Sequence, residues 1–235
     1  MSTGPLRFRY RFRFPSGGEM ETEVEVDPAT LESAVPEGEA PDWARLSFHR
    51  CPHCPLGETD FYCPLALRLS PLLGICAGIS SHDPVEVEAT SPEQRTLRLS
   101  TTAQRAFSSL MGLVIATSGC PYTVFLKPMA RFHLPLAGEE ETLYRAASMY
   151  LLAQYFRHGA GMPEDRNLAG LKQIYRDLQV VNTAMAERLR AVAEQDSAVN
   201  ALVLLDLFAK TVPYSIEESL ADVRYLFAPY LRKEQ

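Results

Sequence analysis

Residues 6–14 read Leu-Arg-Phe-Arg-Tyr-Arg-Phe-Arg-Phe, a strict alternation of apolar and cationic side chains. Successive side chains of a β-strand point to opposite faces, so this period of two predicts a strand with one buried face. Residues 20–26, Met-Glu-Thr-Glu-Val-Glu-Val, alternate again with the opposite charge, and Pro15-Ser16-Gly17-Gly18 supplies a turn between the two segments. The two strands are therefore predicted to form an antiparallel hairpin.

One face of this hairpin is expected to lie on the core and the other in solvent. The core face consists of Leu6, Phe8, Tyr10, Phe12, Met20, Val24 and Val26. The solvent face carries Arg7, Arg9, Arg11, Arg13, Glu21, Glu23 and Glu25. The arginines could instead form an anion- or nucleic-acid-binding patch, but the facing glutamates neutralise them, so a solvated charge ladder is favoured.

Residues 84–90 and 95–100 alternate in the same way around a turn at Ser91-Pro92, which predicts a second hairpin. From Thr101 onward the pattern becomes helical. A capping box, Thr101-x-x-Gln104, begins a helix that Gly119 is expected to end as a left-handed residue. Further helices are predicted over residues 139–158, 163–192, 197–211 and 216–231.

The predicted fold class is therefore α+β: a small antiparallel sheet of two hairpins packs against a bundle of about five helices. We expect residues 1–135 to form a cysteine-rich α+β half and residues 136–235 a helical half, together making one compact unit. Residues 149–156 are apolar nearly all round, so their helix is expected to be central.

Bulk composition limits the classes of function. The 235 residues are 46% hydrophobic and 22% charged, which is typical of a globular protein that buries a core. A formal net charge of −6 argues against a general affinity for nucleic acid or anionic membrane. The sequence has no apolar run of about 18 residues, and its N-terminus lacks the apolar region of a signal peptide. A cytoplasmic location is expected, where thiols stay reduced.

Four of the five cysteines are followed directly by proline. Three of them lie close together, in Cys51-Pro52-His53-Cys54-Pro55 and Cys63-Pro64, and the fourth is in Cys120-Pro121. Cys76 lies in an apolar run and is interpreted as a core residue. Thiolates spaced Cys-x-x-Cys can bind one ion from a single turn, and proline stiffens the loop. Cys51, Cys54, Cys63 and Cys120 are therefore predicted to form a metal site.

Zinc is the favoured metal for this site, and an iron–sulfur cluster is the alternative. The Cys51-Pro52-His53-Cys54 motif resembles one knuckle of a zinc ribbon, although Cys63 and Cys120 stand alone where that family has a second Cys-x-x-Cys pair. The Cys-Pro pairs are similar to the cluster-ligating cysteines of ferredoxin-like proteins. His49 is the fallback ligand, because neutral imidazole also binds zinc. A thiol-redox motif is a further alternative, but no βαβ pattern surrounds it.

A four-cysteine zinc site would be structural, so the sequence predicts a cytoplasmic metal-binding protein that recognises a protein or small-molecule partner. The alternative is an iron–sulfur redox or sensor protein, which could be an oxidoreductase with a small-molecule site near Arg131 and His133. These two residues lie on a segment predicted to be irregular and are the candidates for acid–base or anion-binding chemistry. A catalytic role is otherwise disfavoured, because the sequence contains no phosphate-binding glycine loop, Gly-x-Ser-x-Gly motif or His-Glu-x-x-His motif.

Overall fold

The computed structural model describes residues 4–57, 59–76, 78–192, 199 and 220–231. Its strands are β1 (Leu6–Arg13), β2 (Glu19–Val26), β3 (Pro84–Thr90) and β4 (Thr96–Thr102). The helices of these residues are α1 (Pro64–Cys76), α2 (Ala103–Ala116), α3 (Lys127–Arg131), α4 (Glu139–Gly159), α5 (Ala169–Val192) and α6 (Ala228–Leu231). Short 3-10 turns lie at Asp42–Ala44, Val124–Leu126 and Arg224–Phe227.

The fold class is α+β, as the sequence predicted, with a four-stranded antiparallel sheet of two hairpins. The strand order is β2-β1-β3-β4, so the two hairpins join through β1 and β3. In the first hairpin Arg9 lies opposite Glu23 and Arg11 lies opposite Glu21, which confirms the predicted charge ladder. Arg11 Nη2 is 2.8 Å from Glu21 Oε2. The sheet therefore turns its charged face to solvent and its apolar face to the core.

The main core lies between the apolar face of the sheet and the helices. Phe8, Tyr10 and Phe12 are buried, and the ring centroids of Phe12 and Phe107 of α2 are 5.1 Å apart. The C-terminal half of α5 closes the same core with Val181, Met185, Ala186 and Leu189. This arrangement places the segment between β2 and α1, which carries three of the four Cys-Pro pairs, against the edge of the core.

A second apolar cluster joins the N-terminal halves of α4 and α5. It contains Leu143, Ala146, Ala147, Tyr150, Leu168, Leu171, Tyr175 and Leu178. Because α5 also contributes to the main core, it connects the two clusters. The division of the chain into halves at residue 135 stays a prediction.

Helix α1 was not expected, because Pro71, Gly74 and Gly78 interrupt its apolar run. Proline has no backbone N–H and normally leaves the carbonyl four residues earlier without a donor. Here the Ser70 hydroxyl donates to that carbonyl, Leu67 O, at 2.8 Å. The serine therefore supplies the hydrogen bond that Pro71 cannot, and the helix continues past it.

Two other helix predictions differ from the structure. Helix α5 begins at Ala169 rather than at residue 163, because the Asp165 carboxylate accepts from the backbone N–H groups of Asn167 and Gly170 and caps the helix there. Residues 220–222 are helical, but Val223 and the 3-10 turn Arg224–Phe227 separate them from α6, so the described part of the predicted helix at 216–231 is not continuous. The predicted helix at 197–211 lies outside the described residues. Among the described helices, none has both the length and the apolar character that crossing a membrane requires.

Candidate functional site

The four proline-flanked cysteines lie beside the ends of α1 and α2. Cys63 immediately precedes α1, and Cys120 follows Gly119, the left-handed residue after α2, whose φ is +76°. Cys63 and Cys120 are buried, whereas Cys51 and Cys54 are half-buried on the preceding loop. Cys54 N donates to Cys51 O at 3.0 Å, so these two residues span one tight turn. Cys63, Cys120 and Cys54 all raise the pKa of Cys51, so the four cysteines lie in one region of the fold. Among the described residues, however, no two cysteines form a close pair.

Burial dominates the chemistry of these thiols. It raises the pKa of Cys51 to about 12, and the neighbouring Cys63 and Cys120 act in the same direction. Burial also raises the pKa of Cys120 to about 11. Both side chains are therefore neutral thiols at neutral pH, and a neutral thiol is a weak nucleophile.

The metal-binding function predicted from the sequence, with zinc or with an iron–sulfur cluster, is wrong. In the part of the chain that the structure describes, no group of three or more His, Cys, Asp or Glu side chains is arranged to hold a metal ion. A cysteine binds a metal ion as a thiolate, so the raised pKa of Cys51 and Cys120 adds an ionisation cost to metal binding by these two side chains. The buried guanidinium of Arg188 also lies near Cys51 and Cys63, and its positive charge opposes a second cation there.

The two histidines of this region, His49 and His53, contact residues other than the cysteines. His49, the fallback ligand, is exposed, and its Nδ1 lies 3.5 Å from Glu187 Oε2 of α5. The ring of His53 stacks on Tyr122 with centroids 3.9 Å apart. His53 Nε2 lies 3.3 Å from Asp177 O, whereas its buried Nδ1 has no hydrogen-bond partner within the described residues. Both rings thus help to hold the loop against α5 and residue 122.

Arg131 and His133, the candidates for acid–base chemistry, point to different partners. Arg131 is the last residue of α3, and its Nη1 lies 2.8 Å from Glu93 Oε1 in the turn between β3 and β4. His133 Nε2 lies 2.5 Å from the Tyr10 hydroxyl of β1. The structure therefore uses one side chain in an ion pair and the other in a hydrogen bond with Tyr10, and it does not bring them together.

The environment of His133 keeps its ring neutral. Burial lowers the pKa of His133 to about 3, and the positive charge of Arg145 contributes to this shift. Arg145 itself donates to the carbonyls of Met129 and Phe132, each at 2.8 Å. The Tyr10 hydroxyl lies 3.1 Å from Ser109 Oγ, which accepts from Leu136 N at 2.9 Å. This network ties the segment after α3 to β1 and α2.

A different feature of the structure, the outer side of α4, has the character of a binding surface. The inner side of α4 is buried by Leu143, Ala146, Ala147, Tyr150 and Gln154. The opposite side exposes five large apolar side chains, which we call the α4 apolar face: Tyr144, Leu151, Leu152, Tyr155 and Phe156. Their exposed fractions run from 42% for Tyr144 to 69% for Tyr155. Because residues at separations of four and seven share one side of a helix, these side chains form a continuous stripe.

The α4 apolar face contains no charge. Between Arg145 and Arg157 none of the residues of α4 is Asp, Glu, Lys or Arg. The aromatic rings of Tyr155 and Phe156 lie edge to face with centroids 5.6 Å apart. At the other end of the stripe Tyr144 stacks on Phe227, with centroids 6.4 Å apart. That stack joins the apolar side chains of residues 225–231 to the same surface.

The inner side of α4 is firmly anchored, which fixes the direction of the apolar face. The Tyr150 hydroxyl donates to Asp165 Oδ2 at 2.8 Å, and Asp165 N donates to Gln154 Oε1 at 2.9 Å. The pKa of Asp165 is lowered, first by the hydrogen bond from Gly170 N and then by the one from Tyr150. Rotation of α4 to bury its outer side would break these bonds.

Sequence reasoning missed both Arg188 and the α4 apolar face. Arg188 lies three residues after Met185 on the apolar stripe of α5, so its position in the helical pattern was the available signal. The uncharged run of α4 was recognised, but it was interpreted as a central helix. Only one side of it is buried within the described residues.

A family model for a domain of unknown function, DUF6901, matches residues 8–228, so the chain belongs to this family. The match spans the sheet, the cysteine segment and α4. Searches of curated proteins and of solved structures found no match. The family description names no activity, so the surfaces of the protein carry the functional proposal.

Proposed function

We propose that this protein works by binding rather than by catalysis, and that two copies join through the α4 apolar face to form its working unit. One observation carries this proposal: the apolar side chains on the outer side of α4 are uncharged and exposed, opposite the buried side of the same helix. A helix that is apolar all round is normally buried on both sides. Contiguous exposed apolar patches of this kind mark interaction sites.

The size of the surface suits a dimer. An aromatic side chain can bury 150–250 Å², so the exposed parts of Tyr155, Phe156, Tyr225 and Tyr230 alone amount to roughly 500 Å². A specific interface buries about 800 Å² on each partner. The leucines of α4 and Met162, which are also about half exposed, supply much of the remainder.

The absence of charge favours a second copy as the partner. Around a twofold axis each residue near the axis meets its own copy or a close neighbour, so any charge there would face a like charge. Homodimer interfaces are also more apolar than those between different proteins. Leu151 with Tyr155, and Leu152 with Phe156, form two ridges at a separation of four residues. Ridges of this type interdigitate when two helices cross at about −50°.

Other observations support a binding role in the cytoplasm. Arg131 forms an ion pair and His133 a hydrogen bond with Tyr10, so the side chains expected to do acid–base work already have structural partners. Cys51, Cys54, Cys63 and Cys120 are free thiols, which suits a reducing compartment. The net charge of −6 favours a protein partner over nucleic acid or anionic membrane.

The proposal is tested by measuring the mass of the full chain in solution by sedimentation equilibrium over a range of concentrations. We expect a dimer for the wild-type chain and a monomer for Phe156→Glu, because each interface then contains two buried carboxylates. Loss of a central aromatic residue typically raises a dissociation constant by about a hundredfold. Phe61→Glu is the matched control, since Phe61 is 78% exposed and lies outside the surface. It should leave the dimer intact.

Several results would overturn the proposal. A wild-type chain that stays monomeric at high concentration removes the second copy as the partner. Binding of the monomer to uncharged lipid vesicles, lost in Phe156→Glu, would make the α4 apolar face a membrane-binding surface instead. Equal dimer dissociation constants for the Phe156→Glu and Phe61→Glu variants would show that the dimer forms through another surface.

A further inference from the structure

The second surface without a partner is the open edge of the sheet at β4. Within the described residues β4 pairs with β3 alone, through seven consecutive residue pairs from Thr96 to Thr102 without a bulge. Sheet edges are usually blunted by proline, lysine, bulges or a covering segment. Strand β4 contains neither proline nor lysine, and its residues 96–100 are exposed on both faces. Its outer backbone groups are therefore available to another strand.

The core-side face of β4 is left exposed by the part of the chain that the structure describes. Leu97 and Leu99 lie opposite Ala89 and Val87 of β3, and so they belong to the apolar face of the sheet. Ala89 and Val87 are only 2% and 1% exposed, whereas Leu97 and Leu99 are 39% and 46% exposed. The described helices therefore cover the apolar side chains of β3 but not those of β4. Leu97 and Leu99 form an exposed apolar surface at the edge of the sheet.

The other edge of the sheet differs. The core-side residues Val24 and Val26 of β2 are buried. Val26 bridges to Ser33, and Ala34 N donates to Glu25 O at 3.1 Å, so the following loop covers the end of this edge. Strand β2 also carries four glutamates, which discourage edge pairing. The available edge is therefore that of β4.

The charges of the sheet indicate which strand would fit. On the solvent face the strands alternate in sign in the order β2-β1-β3-β4: glutamates on β2, arginines on β1, glutamates on β3 and Arg98 on β4. Arg11 lies between Glu21 of β2 and Glu88 of β3, and Glu88 in turn pairs with Arg98 at 2.7 Å. The inner strand that carries arginines, β1, thus has an acidic strand on both sides. A fifth strand would lie beside Arg98, and the alternation of charge predicts that this strand carries acidic side chains.

Two further arginines flank β4. Arg95 in the preceding turn and Arg105 in the first turn of α2 are exposed, and neither forms an ion pair with a described carboxylate. With Arg98, whose side chain is 74% exposed, they make this edge basic in a chain whose net charge is −6. Facing opposite charges on paired strands stabilise the pairing.

We propose that the edge of β4 binds an extended segment of another protein whose side chains alternate between acidic and apolar residues. The backbone of that segment would extend the sheet as a fifth strand. Its acidic side chains would face Arg98 with Arg95 and Arg105 nearby, and its apolar side chains would cover Leu97 and Leu99. This inference does not depend on dimerisation through α4.

The test uses a fluorescein-labelled peptide, Thr-Glu-Val-Glu-Val-Glu-Val-Thr, and the full chain, with binding measured by fluorescence anisotropy at low salt. One control peptide carries lysine in place of each glutamate. The other contains the same residues as the test peptide in a grouped order, Glu-Glu-Glu-Thr-Val-Val-Val-Thr. We expect the alternating acidic peptide to bind at least about tenfold more tightly than either control. Raising the salt to about 0.5 M should weaken its binding several-fold.

Two variants locate the binding. Arg98→Glu and Leu99→Lys should each weaken peptide binding by about tenfold or more, since they reverse the charge and remove the apolar contact. Arg166→Glu is the matched control: Arg166 is 75% exposed and pairs with Glu164 at 2.7 Å, as Arg98 does with Glu88. It should leave the affinity unchanged. Hydrogen exchange with the peptide bound should slow in β4 and not in α4.

Four outcomes would overturn the proposal. Equal affinity for the acidic and lysine peptides would remove the charge argument, and equal affinity for the grouped peptide would remove strand pairing. An unchanged affinity in both Arg98→Glu and Leu99→Lys would locate the peptide elsewhere. Self-association that is lost in Arg98→Glu but kept in Phe156→Glu would mean that the edge is occupied by a second copy of this chain.

Discussion

His133 and Arg188 show how single polar residues are accommodated inside this protein. His133 is held by the Tyr10 hydroxyl, and Arg188, only 1% exposed, donates to the carbonyls of Trp43, Arg45 and Leu46. Each connects elements far apart in sequence: His133 ties the loop after α3 to β1, and Arg188 ties α5 to the loop before the cysteines. Both therefore stabilise the fold through hydrogen bonds, and a substitution of either residue should change the free energy of unfolding.

The neutral state of His133 predicts a loss of stability in mild acid. Its pKa in the folded protein is lowered to about 3, below its ordinary value of 6.5. The unfolded chain therefore binds the proton more readily, and the contribution of this residue is fully present above pH 6.5 and lost as the pH falls toward 3. We expect the free energy of unfolding to fall by up to about 1.4 kcal/mol per pH unit below pH 6.5.

Urea unfolding between pH 7 and 5 measures this effect. His133→Gln, which keeps a hydrogen-bonding side chain but does not titrate, should flatten the pH dependence. His158→Gln is the control, because His158 is 68% exposed and should leave the slope unchanged. A slope that is the same in the wild type and in His133→Gln would contradict the prediction.

Replacing Arg188 by lysine should destabilise the protein. Lysine keeps the charge but cannot reproduce the fork that reaches three carbonyls, so buried acceptors lose their donors. We expect a loss of about 2–4 kcal/mol in the free energy of unfolding, measured by urea denaturation. Arg190→Lys, two residues along α5 on the exposed side, should change it by less than about 0.5 kcal/mol. Similar losses in both variants would contradict the role of the buried guanidinium.

At the level of elements, the glycines that end or interrupt helices have distinct roles. Gly119 ends α2 with φ at +76°, as the sequence predicted, and a Cβ there would lie 3.2 Å from Glu32 Oε2. Glu32 in turn pairs with Lys127 at 2.9 Å, so the space is occupied by an ion pair. Gly74 lies inside α1, and a Cβ there would meet no atom within 4 Å.

Alanine at these two positions should have opposite effects. Gly119→Ala should destabilise the protein by about 1–2 kcal/mol, because a left-handed backbone is unfavourable for a residue with a Cβ. Gly74→Ala should stabilise it by about 0.5–1 kcal/mol, since alanine is the better helix former. Thermal unfolding of both variants under identical conditions checks the sign of each change. A stabilising Gly119→Ala would contradict the left-handed end of α2.

At the level of the whole molecule, the protein combines a self-contained core with two surfaces that lack a partner among the described residues. The core fills the space between the sheet and the helices, and α5 links it to the cluster at the base of α4. The α4 apolar face and the β4 edge lie outside both clusters. The residues that form the core and the surfaces proposed to bind partners thus lie in different parts of the fold.

If dimerisation contributes to stability, the melting temperature must depend on concentration. A dimer that unfolds to monomers gains stability with each increase in protein concentration by mass action. For a chain of this size we expect the melting temperature to rise by roughly 2 °C per tenfold increase in concentration. Phe156→Glu should abolish this dependence, and Phe61→Glu should retain it. A wild-type melting temperature independent of concentration would contradict a dimer that forms on folding.

The sequence by itself determined the fold class and the sheet. The alternation of residues 6–14 with residues 20–26 specified the first hairpin, its buried face and its ladder of arginines and glutamates, because the period of a strand is two and the charges of paired strands must match. The second hairpin and the left-handed Gly119 were predicted by the same local rules. Such features depend on residues near one another in the chain.

Only the tertiary structure decided what the chemistry-bearing residues do. The cysteines were identified as metal ligands by their spacing, but burial raises the pKa of Cys51 and Cys120, and Arg188 of α5, far away in sequence, adds a positive charge beside Cys51. His133 was a candidate acid–base residue until its position beside Tyr10 became visible. The sequence also could not predict which side of α4 is exposed, because a helix that is apolar all round does not specify which side meets the core. Spacing along the chain is local, whereas burial, pKa and exposure depend on neighbours that only the folded chain brings together.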